Sequence, residues 1–447
     1  MSTSQLFCIA AITLFVCGVA PYVGWATAFI CGYLITLGGI STTLFTWGTI
    51  NVHYGIAPNT PTFWLSDVLL ALAILAIWAN GGSWGTGWLL AVVGISSGVL
   101  LLTVWGNTPE QWSGLKVYLT AIIAFGVGRK LGEMLTETSG LVLAWTSLIV
   151  CGVEFIATVA QSLGVMVVRA GNSNALTWIS QGRMVGLFDH PSFLGKTVLL
   201  QLCFLLPLTA SNRQLTRRLA NIAILLGTVA VFLTLARANI AAIITAILLW
   251  TILSRRATTI AVRLAMAALI GGVLIAMNSG PIAALQARQY EDPAGGFRDS
   301  IFDIGLGQIG SAPLTGTGPN YYAEVVGQFD RLAASGYPLH NSFLYPVAEL
   351  GIPLALLVFW PVILTIGQTI RRVFQEQQLD VQAAALFSII PGLILVAWTG
   401  WGLIVSDALQ LWFLAFGFLS VRNTTFTLPR DRSDAEQPTN TYSRFAA

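Results

Sequence analysis

Few residues in this chain can carry charge or take up a proton, so those beside apolar stretches are its candidates for chemistry. They are Glu154, Arg183, His190, Arg237, Arg298, His340 and Glu349. Arg237 stands in Leu-Thr-Leu-Ala-Arg-Ala-Asn, a tight turn between the apolar runs 219–236 and 238–254. Two readings fit it: an anchor that snorkels to lipid headgroups, or a permanent forked cation facing a phosphate. Arg298, in Gly-Gly-Phe-Arg-Asp-Ser, has Asp299 beside it, so a solvated ion pair competes with a ligand role. Arg183, in Gln-Gly-Arg-Met-Val-Gly-Leu-Phe-Asp-His-Pro-Ser-Phe, precedes another apolar run and faces the same alternatives. Together on one membrane face, the three arginines would form a cationic pocket for a lipid phosphate or pyrophosphate.

His340 opens an apolar run in Gly-Tyr-Pro-Leu-His-Asn-Ser-Phe-Leu. Imidazole is the usual general base near neutral pH. The plainer alternative is an interfacial polar residue at a helix start, with Asn341 as the cap. Glu349, deeper in that run, either orients a polar neighbour or is held neutral. His190, with Asp189 and Ser192, reads as a polar helix start, and Glu154 is either a proton relay or paired. His53 is a loop residue with no constellation. No HExxH, no paired Asp-x-Asp, no Walker loop and no GxSxG with triad partners occurs. Neither a metal nor a cofactor is therefore expected.

The elements that must position these groups are membrane spans. Of 447 residues, 55% are hydrophobic and 9% charged, with a mean hydropathy of +0.76. A soluble domain has about 25% charged residues. The net charge of +3 gives no support to nucleic-acid binding. Cys8, Cys17, Cys31, Cys151 and Cys203 lie in or beside apolar stretches without metal-ligand spacing, as buried small hydrophobes do. A helical span needs about 20 apolar residues. That rule marks 6–20, 24–46, 64–79, 86–105, 114–128, 139–163, 192–210, 219–236, 238–254, 259–277, 341–368, 382–404 and 407–421. The expected fold is an all-α, polytopic transmembrane bundle of about 12 or 13 spans, occupying 1–421. The run Leu6–Ala20 lacks a preceding basic residue and is expected to be a retained first span.

Alternate connections carry Arg129 and Lys130, Arg213, Arg217 and Arg218, Arg255 and Arg256, and Arg371 and Arg372. With Arg422, Arg430, Arg432 and Arg444 they make thirteen basic residues, against five in the opposite connections 164–191 and 278–340. The richer side is expected to be cytoplasmic, with 422–447 a disordered cytoplasmic tail. Residues 278–340 form one long outer segment, longer than loops usually run without a role. It is expected to be partly helical over Arg298–Gly310, with turns at Pro313, Gly316, Gly318 and Pro319, and to lie on the outer face as a lid.

The order of these pieces resembles the bacterial O-antigen ligase and polymerase superfamily of polytopic glycosyltransferases. The matching stretches are Gly182–Pro191, then Ala236-Arg237-Ala238, then Arg298 followed by Pro313–Tyr321. The last is His340-Asn341-Ser-Phe-Leu-Tyr-Pro-Val-Ala-Glu349-Leu-Gly351. The resemblance implies a metal-independent, inverting transfer at the outer face of the inner (cytoplasmic) membrane, within a polysaccharide assembly pathway. The donor would be an oligosaccharide on undecaprenyl pyrophosphate; the acceptor would be a sugar hydroxyl on a glycan or a lipid-linked glycan. By position, Arg237 and Arg298 would bind the pyrophosphate, Arg183 would line the donor site, and His340 would activate or orient the acceptor. Asn341, Glu349, Gly318 and Asn320 would support them. The family often has an Asn-Pro-Asn-like run where this chain has Asp189-His190-Pro191-Ser192, so no role is carried over to His190. A membrane transporter for a polysaccharide or small solute is the competing class. Such proteins place charged sites near the midplane, often between inverted repeats; here the candidates cluster toward one face.

Overall fold

The fold is given by a computed structural model, which describes residues 3–40, 42–46, 55–81, 97–167, 173–254, 298–335, 338–377, 379–423, 425–426 and 428. The first helix, α1 (Thr3–Leu37), carries no charged residue but breaks at Gly24, whose φ of 78° and ψ of 156° are not helical. Its two arms fold back on one another: a Cβ on Gly32 would stand 2.7 Å from Val16 Cγ2. The runs expected at 6–20 and 24–46 are thus two arms of one broken helix. The second arm ends at Leu37, and Thr43–Thr46 (β1) pairs antiparallel with Thr62–Trp64 (β2). This small ribbon departs from a wholly helical expectation. Cys31, Cys151 and Cys203 are buried as expected, whereas Cys17 is exposed on the first arm.

Next come α2 (Leu65–Ala79), a helical stretch at 97–105, α3 (Pro109–Glu133) and α4 (Glu137–Ser162). Thr108 and Thr136 start α3 and α4 with capping boxes, each satisfying two backbone groups that a helix end would leave open. The short α5 (Ser173–Ser180) leads to α6 (Pro191–Leu208), α7 (Gln214–Leu233) and α8 (Arg237–Ser254). Beyond the described gap lie α9 (Arg298–Ser311), α10 (Tyr322–Val326) and α11 (Arg331–Ala334). The chain closes with α12 (Leu344–Glu376), α13 (Val381–Trp398) and α14 (Ser406–Leu419).

Among the described residues, seven helices are long and apolar enough to cross a bilayer, and α2 and α14 are shorter apolar helices. The span expected at 259–277 and most of 86–105 lie outside the described residues. So do 278–297 of the long outer segment; the helix expected over Arg298–Gly310 is α9. The run 114–128 is the middle of α3, which is not among the seven and which carries Lys116 in an ion pair with Asp67. The run expected over 382–404 stops as a helix at Trp398 and continues as a turn.

At the centre stands α6, buried along its length and packed against α4, α7, α8, α13 and α14. Close backbone approach elsewhere depends on small residues, as helices in lipid require. A Cβ on Gly128 would lie 1.9 Å from the Leu414 carbonyl oxygen, and one on Gly417 2.0 Å from that of Phe125. These two glycines let α3 and α14 touch.

Among the described residues, the connections after α3, α6, α12 and α14, expected on the basic side, gather at one end. Glu137 accepts from Ser211 Oγ at 2.6 Å, Arg372 pairs with Asp380 at 3.1 Å, and Arg422 pairs with Glu376 at 2.7 Å. Residues past 421 are not all tail. Asn423 Nδ2 donates to the carbonyls of Gly132 and Leu135, and Phe426 is buried against Gly140. Among the described residues there, Asn423, Phe426 and Leu428 dock on the bundle, the last two burying apolar side chains.

Candidate active site

The opposite end of the bundle collects the sequence candidates. Arg183 lies on the segment between α5 and α6, which is stitched to the turn joining α7 and α8. Met184 N donates to the Leu233 carbonyl at 3.2 Å, and Arg183 Nε donates to the Thr234 carbonyl at 3.4 Å. That turn needs Leu235 in the left-handed region (φ 55°), and Thr234 Oγ1 steadies it by accepting from Ala236 N at 3.1 Å. Arg237 follows as the first residue of α8 and is exposed. Arg183 and Arg237, fifty-four positions apart in the chain, are thus brought to one turn. Arg183 is 8% exposed, and its guanidinium carbon lies 4.8 Å from the Trp178 ring centre. The indole face holds the cation from one side.

His190 is the N-cap of α6. Its Nδ1 accepts from Ser192 N at 3.0 Å, and its ring stands edge-on to Trp178 at 4.6 Å. This fits the helix-start reading. Asn239, on the first turn of α8, donates from Nδ2 to the Ser192 carbonyl at 3.0 Å. The starts of α6 and α8 are therefore locked side by side.

Two residues of α4 hold the loop that carries Arg183. Gln161 Oε1 accepts from Val185 N and Gly186 N, each at 3.0 Å, while its Nε2 donates to the Gly186 carbonyl at 2.7 Å. Glu154, wholly buried, accepts from Leu187 N at 3.1 Å. Of the two alternatives for Glu154, the structure gives it a partner. Gly186 must be glycine here: its φ is +62°, and a Cβ would meet Glu154 Oε2 at 1.9 Å.

His340 occupies the same end, half-buried, ahead of α12. Its Nδ1 lies 2.7 Å from the Pro338 carbonyl. A carbonyl only accepts, so Nδ1 carries the hydrogen and Nε2 of the neutral ring is the proton acceptor. Asn341 caps the helix as expected, its Oδ1 accepting from Phe343 N and Leu344 N. Its Nδ2 is buried with no partner among the described residues. Ser342 Oγ donates to the Gly400 carbonyl at 2.6 Å and Ser342 N to that of Ala397 at 2.8 Å. The turn after α13 thereby fixes the His340 segment.

α12 breaks seven residues later, at Gly351 (φ 74°, ψ 164°). The turns after α9 fill that break. Thr317 N and Gly318 N donate to the carbonyls of Ala348 and Glu349, and Ile352 N donates to that of Pro313. These bonds satisfy groups that a broken helix leaves open. Gly316 and Gly351 permit the approach, since a Cβ on either would lie 2.3 Å from a carbonyl oxygen across the contact. Glu349 accepts from Tyr118 Oη at 3.0 Å and so ties α12 to α3. Asn320 (φ 59°) clamps three segments, accepting from Ala57 N at 3.0 Å and donating to the carbonyls of Ala57, Pro58 and Glu110. Its neighbour Tyr322 is buried beside Asp330 and Glu349; burial first, then those charges, pushes its phenol well above the ordinary value.

Arg298 is the first residue of α9; its side chain lies outside the described part. The helix itself reaches the site, with Phe302 6.1 Å from Trp398 and Gly305 against Leu339. Gly318, Asn320, Asn341 and Glu349 hold backbone in place around these groups. Among the described residues, no three His, Cys, Asp or Glu side chains gather as metal ligands do.

Lys196, Gln161 and Asn239 escaped the sequence reading. Lys196 had a signal, a charged residue inside an apolar span. Polar amides have none until the chain that folds onto them is known.

The fold is that of a polytopic helical membrane protein, and cations and a histidine gather at one end of the bundle. Residues 222–359 match the family model described as O-antigen ligase, in line with the superfamily that the order of the sequence motifs resembles. The match takes in Arg237, Arg298, Asn320, His340 and Glu349 and leaves out Arg183. No curated protein matches the chain.

Proposed function

We propose that this chain is an inverting glycosyltransferase of the cytoplasmic membrane, acting at its extracytoplasmic face. It takes a glycan from undecaprenyl pyrophosphate and passes it to a sugar hydroxyl on a second glycan or lipid-linked glycan. The observation that carries this reading is the joining of Arg183 to the Arg237 turn, at the end of the bundle opposite the basic connections.

The acceptor oxygen attacks the anomeric carbon. The carbon–oxygen bond to the pyrophosphate breaks, its electron pair stays on the pyrophosphate, and the hydroxyl proton goes to His340 Nε2. One displacement inverts the anomeric centre. Charge grows on the leaving group, and Arg237 and Arg298 stabilise it where a metal ion would in other transferases. Arg183 backs the donor site. The segment after α9 shields the centre from water, which would otherwise hydrolyse the donor.

Repeat-unit polymerisation and ligation share this donor site, and polymerisation is the reading we favour. Purified protein given the lipid-linked repeat unit should produce a ladder of chain lengths; a single capping of another lipid would mark a ligase. Arg237→Ala, Arg298→Ala and His340→Ala should each slow product formation by about 10²-fold or more. Movement of the donor across the membrane without a new glycosidic bond would mark a transporter instead.

A further inference from the structure

Lys196 lies in the second turn of α6 and is 3% exposed. A cation inside an apolar span is costly to hold, and such residues mark substrate sites or internal partners. Its surroundings are built around the ammonium. A Cβ on Gly402 would stand 2.6 Å from Lys196 Nζ and 2.4 Å from Phe193 Cε1; one on Gly400 would stand 3.4 Å from Nζ. The ammonium therefore rests on the turn after α13, in space that only glycine leaves. The Gly400 carbonyl of that turn accepts from Ser342, two residues past His340. One helical turn from Lys196 toward the start of α6 is Ser192, whose carbonyl accepts from Asn239, two residues past Arg237. Gly195 closes the contact, a Cβ there lying 2.4 Å from Asn239 Nδ2. Lys196 thus stands where the arginine side and the histidine side of the site meet. Phe193 lies beside it, 5.8 Å from Nζ to the ring centre, with Trp401 edge-on at 6.3 Å. Apolar rings around a charge strengthen its pull on an anion.

We propose that Lys196 is a further fixed cation of the donor site, contacting the lipid-linked pyrophosphate on the side toward His340. This rests on the donor reading above. The ammonium stays protonated throughout; its N–H donates to the pyrophosphate oxygen that receives the electron pair of the broken bond.

The test is binding of undecaprenyl pyrophosphate to the full-length protein in nanodiscs, with undecaprenol as the uncharged comparison. Lys196→Met should weaken pyrophosphate binding by about tenfold or more and leave undecaprenol binding unchanged. Lys196→Arg should stay within about threefold of wild type. Gly402→Ala, which keeps the charge but displaces it, should weaken the pyrophosphate alone. Lys130→Met, at the basic end, should bind as wild type. Wild-type pyrophosphate affinity in Lys196→Met, with affinity lost in Arg237→Ala, would remove Lys196 from the site while the donor reading stands. If Lys196→Met does not fold, folded Gly402→Ala with wild-type affinity has the same force. A wild-type protein with no preference for the pyrophosphate over undecaprenol would overturn both.

Discussion

At His340 the Pro338 carbonyl fixes Nδ1 as the hydrogen-bearing nitrogen, so in the proposed transfer Nε2 is the atom that takes the acceptor's proton. His340→Ala should lower kcat by about 10²- to 10⁴-fold, the usual contribution of a general base. The KM for the lipid-linked donor should change little, because the imidazole meets the acceptor; steady-state kinetics in nanodiscs separate the two. Arg237 is exposed at a helix start and is free of the constraint that Trp178 places on Arg183. Arg237→Lys should therefore recover only part of the activity lost in Arg237→Ala, since an ammonium lacks the bidentate fork. These residues were legible because ionisable groups are scarce here, each standing alone in an apolar context. Lys196 was passed over because it falls inside a span, where its partners come from turns some two hundred residues away.

The loop carrying Arg183 is held by side chains of α4, and this contact can be tested apart from the chemistry. Glu154→Leu removes the acceptor for Leu187 N and should raise the donor KM by about tenfold, while Glu154→Gln, whose amide oxygen still accepts, should keep most of the affinity. The Gly316–Gly351 contact is a separate matter of backbone. Gly351→Ala puts a Cβ 2.3 Å from the Leu314 carbonyl oxygen at a φ of +74°. It should cost about 1–3 kcal/mol, seen as a lower Tm in detergent. Turn residues at Pro313, Gly316 and Gly318 could be read from sequence. The break in α12 that they fill could not be placed, because a run with glycines at 351 and 367 and prolines at 346, 353 and 361 offers several places to break. At Gly24 the sequence did show it, since the expected runs 6–20 and 24–46 part next to the observed break.

Across the whole molecule, charge separates the two ends. Apolar runs and the placement of lysine and arginine were enough to predict the bundle, and the segment after α14 meets the end of α12, both expected on one side, in the Arg422–Glu376 pair. Glu133 belongs to that end. Burial raises its carboxyl, but hydrogen bonds from Lys130 and Arg129 outweigh this and hold it below the ordinary value. A depressed folded-state value stabilises the fold above the unfolded value of about 4.3, and that contribution fades as pH falls through the folded value. The Tm gap between wild type and Glu133→Gln should therefore narrow below about pH 4.3; solvent screening keeps it small. What sequence could not supply is contact between distant segments: the docking of Phe426 on Gly140 and of Lys116 on Asp67 depends on which helices lie side by side. The transfer itself is read by its leaving group. Protein in nanodiscs, given an undecaprenyl-pyrophosphate-linked oligosaccharide and an acceptor glycan, should release one undecaprenyl pyrophosphate for each glycosidic bond formed, measured by mass spectrometry. His340→Ala and Arg237→Ala should release it more slowly by about 10²-fold or more. Bond formation at the wild-type rate in both variants, or donor movement without any release, would contradict it.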